Sequence, residues 1–148
     1  MIDQITVFLE NEKGRLAALA HTIGEAGISM HALTVADTSE YGVVRIIADT
    51  PTRVHTILSE KGFRVALTKV FAVEVPDHAG GLATLLDALD RADLNVEYAY
   101  CFALANDRAV DVLRIDAHEA AEKVITTAGF RIMRPDELYV PEPYTQEA

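Results

Sequence analysis

The stretch NEKGRL at residues 11–16 decides the fold, because a similar stretch, DHAGGL, recurs 66 residues later at residues 77–82. Each copy follows an alternating apolar run and precedes a helix-like run, so each is predicted to be a strand-to-helix turn. Such a turn directs free backbone N–H groups and the positive end of a helix dipole at one point, which suits a carboxylate or phosphate. A purely structural role for Gly14 and Gly80, as residues that allow a sharp turn, stays open.

The segments around the first turn predict the element order βαββαβ. Apolar residues alternate over residues 5–9, which indicates a strand, and recur at helical spacing over residues 16–23. Two extended runs, 28–36 and 42–48, are joined by a turn at 37–40. Thr50-Pro51 is a favoured N-cap and N1 pair for a second helix. A fourth strand begins at Phe63.

The same order starts again near residue 73. The predicted elements are a strand at 73–75, a helix at 82–89, extended runs at 94–104 and 110–115, a helix capped by Asp116 with Glu119, and a strand at 130–133. A repeat of a whole supersecondary unit indicates two domains, which we place at residues 1–70 and 71–148. Each is expected to be an α+β, ferredoxin-like sandwich with an antiparallel sheet and both helices on one face.

The sheet face without helices is predicted to be partly apolar. The side chains that cannot all lie under the helices are Phe8, Val43, Ile47, Phe71, Tyr98 and Tyr100. We expect the sister domain or a second chain to cover part of this face. The second domain carries a C-terminal extension from Pro135 to Ala148, in which residues 138–140 are expected to add an edge strand.

Composition excludes several classes of partner. The 13 Lys and Arg against 23 Asp and Glu give a net charge of −10, which opposes binding to nucleic acid or to an anionic membrane. No apolar run approaches the roughly 20 residues of a membrane span. The N-terminus lacks the pattern of a signal peptide, so we expect a cytoplasmic protein.

The residue types of common catalytic and metal sites are not arranged as those sites require. The five histidines show neither HxxxH nor HExxH spacing, and Cys101 is the one cysteine, so no metal or other cofactor is predicted. Cys101 lies in an apolar run and is predicted to be a buried structural thiol. The sequence contains neither a phosphate-binding loop nor a nucleophile elbow.

Two βαββαβ units with Asn/Asp-x-x-Gly-x-Leu at the first turn resemble the ACT domain family, here as a tandem pair over residues 3 to about 135. The resemblance implies a non-enzymatic regulatory protein that binds an amino acid or a similar small metabolite. It also implies that domains pair side by side, with ligand between one domain's first turn and its neighbour's second strand. A homodimer and a metabolic enzyme are therefore the implied protein partners. The family often has proline before the turn glycine, where this chain has Lys13 and Ala79.

The resemblance also implies which residues bind the ligand. In the first domain they are Asn11, Lys13, Gly14, Arg15 and Leu16, with Ser29 and His31 on the facing strand. In the second domain they are Asp77, His78, Gly80, Gly81 and Leu82, with Asn95 and Glu97. A zwitterionic amino acid needs donors for its carboxylate and acceptors for its ammonium group, which the turn amides and Asn11 or Asp77 would supply. Each charge-assisted hydrogen bond contributes roughly 1.5–3 kcal/mol.

Two other functions remain open from the sequence. The chain would be an assembly module if its turns are unoccupied and its sheets only pair with a metabolic enzyme. It would be a small enzyme if the ferredoxin-like scaffold carried a cleft with an acid–base pair, since fold does not fix function. A ligand that raises the melting temperature separates the regulator from the assembly module.

Overall fold

The computed structural model describes residues 1–37 and 40–143, which form two compact units. The first unit contains residues 3–68 and the described residues from Pro135 onward, and the second contains residues 69–134 together with Met1 and Ile2. Thr38 and Ser39, in the predicted turn at 37–40, lie outside the described residues, as do residues 144–148.

The first unit has the predicted order. Its elements are β1 (Ile2–Glu10), α1 (Arg15–Glu25), β2 (Met30–Asp37), β3 (Tyr41–Ala48), α2 (Pro51–Glu60) and the start of β4 (Arg64–Pro76). The strands lie in the order β2-β3-β1-β4, and β3 pairs antiparallel with both β1 and β2. Strand β2 therefore forms one edge of this unit's sheet.

The second unit repeats this arrangement. After β4 come α3 (Gly81–Arg91), β5 (Tyr98–Leu104), β6 (Arg108–Arg114), α4 (His118–Thr127) and β7 (Arg131–Ile132). Strand β4 pairs antiparallel with β6 and β7, and β6 pairs antiparallel with β5. The predicted fold class, two ferredoxin-like βαββαβ units with antiparallel sheets, is confirmed.

Each unit has its own apolar core between its sheet and its helices. In the first unit, Leu19 and Ile23 of α1 and Leu58 of α2 are fully or almost fully buried against the strands. In the second unit, Leu85 of α3 and Ile125 of α4 are buried in the same way. The helical spacing of these residues supplies one apolar face per helix, and burial of that face stabilises the fold.

The apolar residues named for the helix-free face have different environments. Phe71 belongs to the helix-side core of the second unit, and Ile47 is fully buried. Phe8 is 44% exposed, and Tyr98 and Tyr100 are half-buried. Among the described residues, no helix is both long enough and apolar enough to cross a bilayer.

Some local predictions are wrong. The strands predicted near 63–67 and 73–75 are one 13-residue strand, β4, and β7 has only two residues. Cys101 is exposed rather than buried, because β5 is an edge strand and its side chains alternate between two partly covered faces. Asp116 does not cap α4; Ala117 is the N-cap, and the Asp116 carboxylate pairs with Arg114 at 3.0 Å.

The C-terminal extension also differs from its prediction. Residues 135–137 form a 3₁₀ turn, and residues 138–140 are not a strand. The sequence attaches the extension to the second domain, whereas the hydrogen bonds of its described part join it to the first unit. We call residues 139–142 the strap. Its attachment depends on single hydrogen bonds, which hydrophobic periodicity does not reveal.

Candidate functional site

The two glycine turns have the same backbone conformation. Gly14 has φ 91° and ψ −11°, and Gly80 has φ 89° and ψ −7°. Both residues are the N-caps of their helices, α1 and α3, and both lie in the left-handed region that glycine enters without steric penalty. The sequence repeat therefore corresponds to a repeat of backbone geometry.

The hydrogen bonds of the two turns also match. In each turn, the first helical residue donates to a carbonyl three positions back, and the fourth donates to the turn glycine. The bonds are Arg15 N–H to Glu12 O (3.3 Å), Ala18 N–H to Gly14 O (3.0 Å), Gly81 N–H to His78 O (3.2 Å) and Thr84 N–H to Gly80 O (3.1 Å). The intervening N–H groups, those of residues 16–17 and 82–83, donate to no acceptor among the described residues.

Both turns are accessible. A Cβ atom built on Gly14 or Gly80 would meet nothing within 4 Å, and Leu16 and Leu82 are 42% and 40% exposed. An accessible helix N-terminus with free N–H groups has the geometry that favours an anion. The positive φ also gives each glycine a structural role, so both roles assigned from the sequence are compatible with this geometry.

The side chains of the first turn are partly engaged with each other. Arg15 Nε lies 2.9 Å from Glu10 Oε2, and the guanidinium lies 5.0 Å from the centre of the Phe63 ring. The backbone N–H of Asn11 donates to Glu40 O at 3.5 Å, and the side chains of Asn11 and Lys13 are exposed. Lys13 is thus the nearby cation whose charge faces solvent.

The second turn has different side chains around the same backbone. Asp77 N–H donates to Asp107 O at 2.8 Å, and His78 Nδ1 lies 3.1 Å from Ala79 O. Asp77 and His78 are exposed, but Gly81 is buried. A Cβ atom on Gly81 would lie 2.5 Å from Pro76 O, so α3 approaches β4 closely at this residue.

The residues predicted at the start of the facing strands have acidic neighbours. In the first unit, His31 Nε2 lies 2.7 Å from Asp49 Oδ1, and Asp49 N–H donates to Ser29 O at 3.1 Å. The hydrogen bond from His31 and a second from Val140 N–H hold the pKa of Asp49 below its ordinary value.

In the second unit, Glu97 Oε2 lies 3.7 Å from Arg114 Nε, and Asn95 is exposed. Asn95 and Glu97 line a cavity of about 190 Å³ together with Asp93, Leu94, Ile115, Asp116 and Ala117. The strand-start residues of the second unit therefore surround open space.

Turn and strand-start residues do not come together within a unit. Gly14 precedes the 11 residues of α1, and Ser29 follows them. At 1.5 Å per residue the helix separates them by roughly 16 Å. Asn95 and Gly80 stand in the same relation to α3, which also has 11 residues. A ligand that contacts both sets would have to bridge two different domains.

Sequence analysis did not identify a charge cluster on the second unit. Glu74 accepts hydrogen bonds from Arg108 Nη1 and Arg131 Nε, both at 2.8 Å, beside a cleft of about 460 Å³. These bonds hold the pKa of Glu74 below its ordinary value. The stabilisation is therefore present above the unfolded pKa and is lost as the pH falls through the lower folded value. Strand register creates this cluster, and spacing along the chain gives no sign of it.

Asp111 is a second residue that sequence analysis missed. It is 4% exposed, it lies opposite Val73 and Cys101 in the register, and no hydrogen bond joins its side chain to the described residues. Burial raises its pKa above the ordinary value. Asp111 shares its strand face with Leu113 and Ile115 of the helix-side core. A charged residue between Val110 and Val112 is typical of a solvent-facing position, so alternation alone does not reveal this burial.

Asp111→Asn is expected to raise the melting temperature at pH 7. Because the folded pKa is raised, the native state loses stability as the pH rises from the unfolded value through the folded one. Asparagine removes this charge, so the gain should shrink as the pH approaches about 3, where both states of Asp111 are protonated. Thermal melts from pH 3 to pH 8 test this, and Asp87→Asn on the exposed face of α3 is the control. An equal gain in melting temperature at pH 3 and at pH 7 would contradict the electrostatic cause.

Two βαββαβ units, each starting its first helix at an accessible glycine turn, define a duplicated ferredoxin-like protein. The chain belongs to the ACT domain pair family, whose model matches residues 1–140. The resemblance inferred from the two turns is confirmed.

Solved structures share this fold. A protein from Bacteroides thetaiotaomicron superposes with a TM-score of 0.86 at 28% identity, covering 92% of this chain and 94% of that one. The ligand-free regulatory subunit of aspartate kinase from Thermus thermophilus gives a TM-score of 0.61 at 16% identity, covering 86% and 92%. The corresponding subunit from Thermus flavus gives 0.57 at 18% identity, covering 85% and 91%. No curated protein matches the sequence.

Proposed function

We propose that this protein is a cytoplasmic, non-enzymatic regulator that binds an amino acid or a similar small metabolite at its glycine turns. The observation that supports this most is the matched geometry of Gly14 and Gly80, with free N–H groups beside open space. A ligand carboxylate would accept from residues 16–17 or 82–83, and Asn11 or Asp77 would accept from its ammonium group.

The proposal includes a second domain across each site. Because α1 and α3 separate the turns from Ser29, His31, Asn95 and Glu97 within each unit, a ligand that uses both sets needs a facing domain. A homodimer would provide such a partner, and the exposed apolar residues of the β2 edge, Met30, Leu33 and Val35, suit sheet pairing. A ligand that contacts one arrangement of domains better than another would shift the balance between them. A metabolic enzyme is the proposed recipient of that signal.

A thermal-shift screen against the 20 common amino acids at millimolar concentration tests the proposal. A ligand at 100 times its Kd adds about 2.7 kcal/mol of stability per site, which raises the melting temperature by several degrees. The double variant Leu16→Glu and Leu82→Glu should abolish this shift, because each carboxylate competes for the free N–H groups and repels the ligand.

The double glutamate variant should fold as stably as the parent protein, so a lost shift would report lost binding and not misfolding. Leu16 and Leu82 are exposed, and an acidic residue in the first turn of a helix is stabilising, so the ligand-free melting temperature should not fall. Leu16→Gln with Leu82→Gln is the neutral control and should retain most of the shift. If no amino acid raises the melting temperature, amino-acid binding is wrong. If the glutamate variant responds like the parent protein, binding at the glycine turns is wrong.

The second candidate is an assembly module that pairs with an enzyme without ligand. The exposed apolar edge at β2 favours it, because such a patch is suited to contact another sheet. A flat ligand screen together with an enzyme that co-purifies at fixed stoichiometry would support this candidate over the first.

A further inference from the structure

A cavity of about 410 Å³ lies between the two helices of the second unit, α3 and α4. Most of its surface is apolar, and none of the residues proposed for the small ligand lines it. Ala88 and Val124 are half-buried and the other lining residues are exposed, so the cavity is open to solvent. Its lining consists of Ala88, Arg91, Ala92, Lys123, Val124, Thr127 and Ala128.

Two cations from different helices face this cavity. Arg91 is the last residue of α3, and Lys123 lies inside α4. Neither side chain makes a hydrogen bond or an ion pair with the described residues. Asp87 and Glu119 lie four residues before them, at the spacing of helix ion pairs, yet no such pair forms. Because the lining contains no carboxylate side chain, both positive charges are left without a counter-charge at the cavity.

The backbone carbonyl groups at the ends of both helices are already hydrogen-bonded. Leu94 N–H donates to Leu89 O at 3.0 Å after α3, and Phe130 N–H donates to Ile125 O at 3.2 Å after α4. Both are Schellman-type bonds, which satisfy carbonyl oxygens that would otherwise repel an anion. The two cations are therefore the charged groups that an occupant of the cavity meets.

The first unit does not have these cations at the matching positions. By the repeat, Glu25 corresponds to Arg91, and Thr56 corresponds to Lys123. Over all seven matching positions the first unit has two acids and one lysine, whereas the second unit has two cations and no acid. The first-unit residues are Thr22, Glu25, Ala26, Thr56, Ile57, Glu60 and Lys61. Since both units have the same fold, packing of the helices does not require the two cations.

We propose that this cavity binds a small amphipathic anion, a carboxylate attached to an apolar tail. Arg91 and Lys123 would donate to the carboxylate, and the tail would lie on Ala88, Ala92 and Val124. Apolar walls with a few polar groups that fix orientation are typical of small-molecule sites of this size. The stems of the two cations add apolar surface beside the tail.

The net charge of the protein makes this preference distinctive. The chain carries a net charge of −10, so its long-range field attracts cations and repels anions. An apolar tail that binds better with a negative head than with a positive head must therefore meet local positive charge. Such a preference would separate this cavity from non-specific binding of a tail to the surface.

Two probes with the same tail and opposite charge test the proposal on the full-length protein. They are octanoate and octylammonium. Isothermal titration calorimetry should show octanoate binding below about 1 mM and about 10-fold more tightly than octylammonium. The difference in affinity should shrink as salt is raised, because the two cations are solvent-exposed.

The double variant Arg91→Glu with Lys123→Thr gives the cavity the residues of the first unit. Octanoate should bind this variant at least about 10-fold more weakly, and octylammonium should become the tighter probe. Both side chains are exposed, so the melting temperature should change little. Inversion of the charge preference is a readout that a merely structural role of the cations would not move.

Ala88→Leu tests the apolar part of the cavity without changing any charge. The larger side chain would occupy the space of the tail, so both probes should bind about 10-fold more weakly. Ala83→Leu, at an exposed position of the same helix, is the matched control and should bind as the parent protein does. Leucine is a good helix former, so both variants should fold.

Several results would overturn the proposal. Absence of octanoate binding at millimolar concentration would do so, as would equal affinity for the two probes or parent-like binding to Ala88→Leu. Loss of octanoate binding in the variant Leu16→Glu with Leu82→Glu would place the carboxylate at the glycine turns and would also overturn it. Retained octanoate binding in that variant supports the cavity, whether or not any amino acid binds at the turns.

Discussion

Leu85→Ala should lower the free energy of unfolding of the second unit by about 3–5 kcal/mol. Leu85 is fully buried, and it lies in the core that includes Phe71, Val73 and Leu113. Truncation removes three carbons from this core and leaves a cavity that a two-helix, one-sheet sandwich fills poorly. Urea denaturation followed by circular dichroism measures the loss.

Leu82→Ala is the matched control on the same helix. Leu82 lies three residues earlier and is 40% exposed, so its truncation should change stability by about 0.5 kcal/mol or less. Because the units have separate cores, amide exchange should show the effect of Leu85→Ala mainly in residues 69–134. A comparable loss for both variants would contradict the assignment of Leu82 to the surface and Leu85 to the core.

Gly81→Ala should also destabilise the second unit strongly, by about 2–3 kcal/mol. The added Cβ would lie 2.5 Å from Pro76 O and 3.1 Å from Val75 Cγ1, and a backbone oxygen cannot move aside as a flexible side chain can. Helix α3 would have to shift away from β4, which would also disturb the Gly80 turn. Thermal and urea unfolding measure the stability.

Gly24→Ala provides the opposite expectation within the same protein. Gly24 lies inside α1, and a Cβ atom there would meet nothing within 4 Å. Alanine is the better helix former, so this variant should gain about 0.5–1 kcal/mol. A neutral or stabilising Gly81→Ala would show that contact with β4 does not control that site. A destabilising Gly24→Ala would show that helix propensity does not control Gly24.

The two glycine turns were predictable because their signal is local. Glycine at the end of an alternating run and before a helical run needs no distant partner to adopt a positive φ, and both Gly14 and Gly80 do so. Because the turn pattern occurs twice, each copy supported the interpretation of the other as a strand-to-helix turn. Ligand binding at these turns remains a prediction.

Burial along the strands was less predictable. Cys101 lies in an apolar run, yet it is exposed because β5 is at the edge of its sheet. Asp111 interrupts an apolar run, yet it is buried because β6 is a central strand flanked by β4 and β5. The position of a strand in its sheet depends on pairing between distant segments, and residue type alone does not report it.

The sequence alone determined the element order, the division into two repeats and the conformation of the glycine turns. Hydrophobic periodicity and turn chemistry act over a few neighbouring residues, so they can be recognised without coordinates. Only the tertiary structure decided where the strap binds, that Asn95 and Glu97 line a cavity, and that the Asp111 carboxylate is buried. Those features arise from single contacts between residues far apart in the chain, such as Val140 with Asp49, and no periodic pattern encodes them.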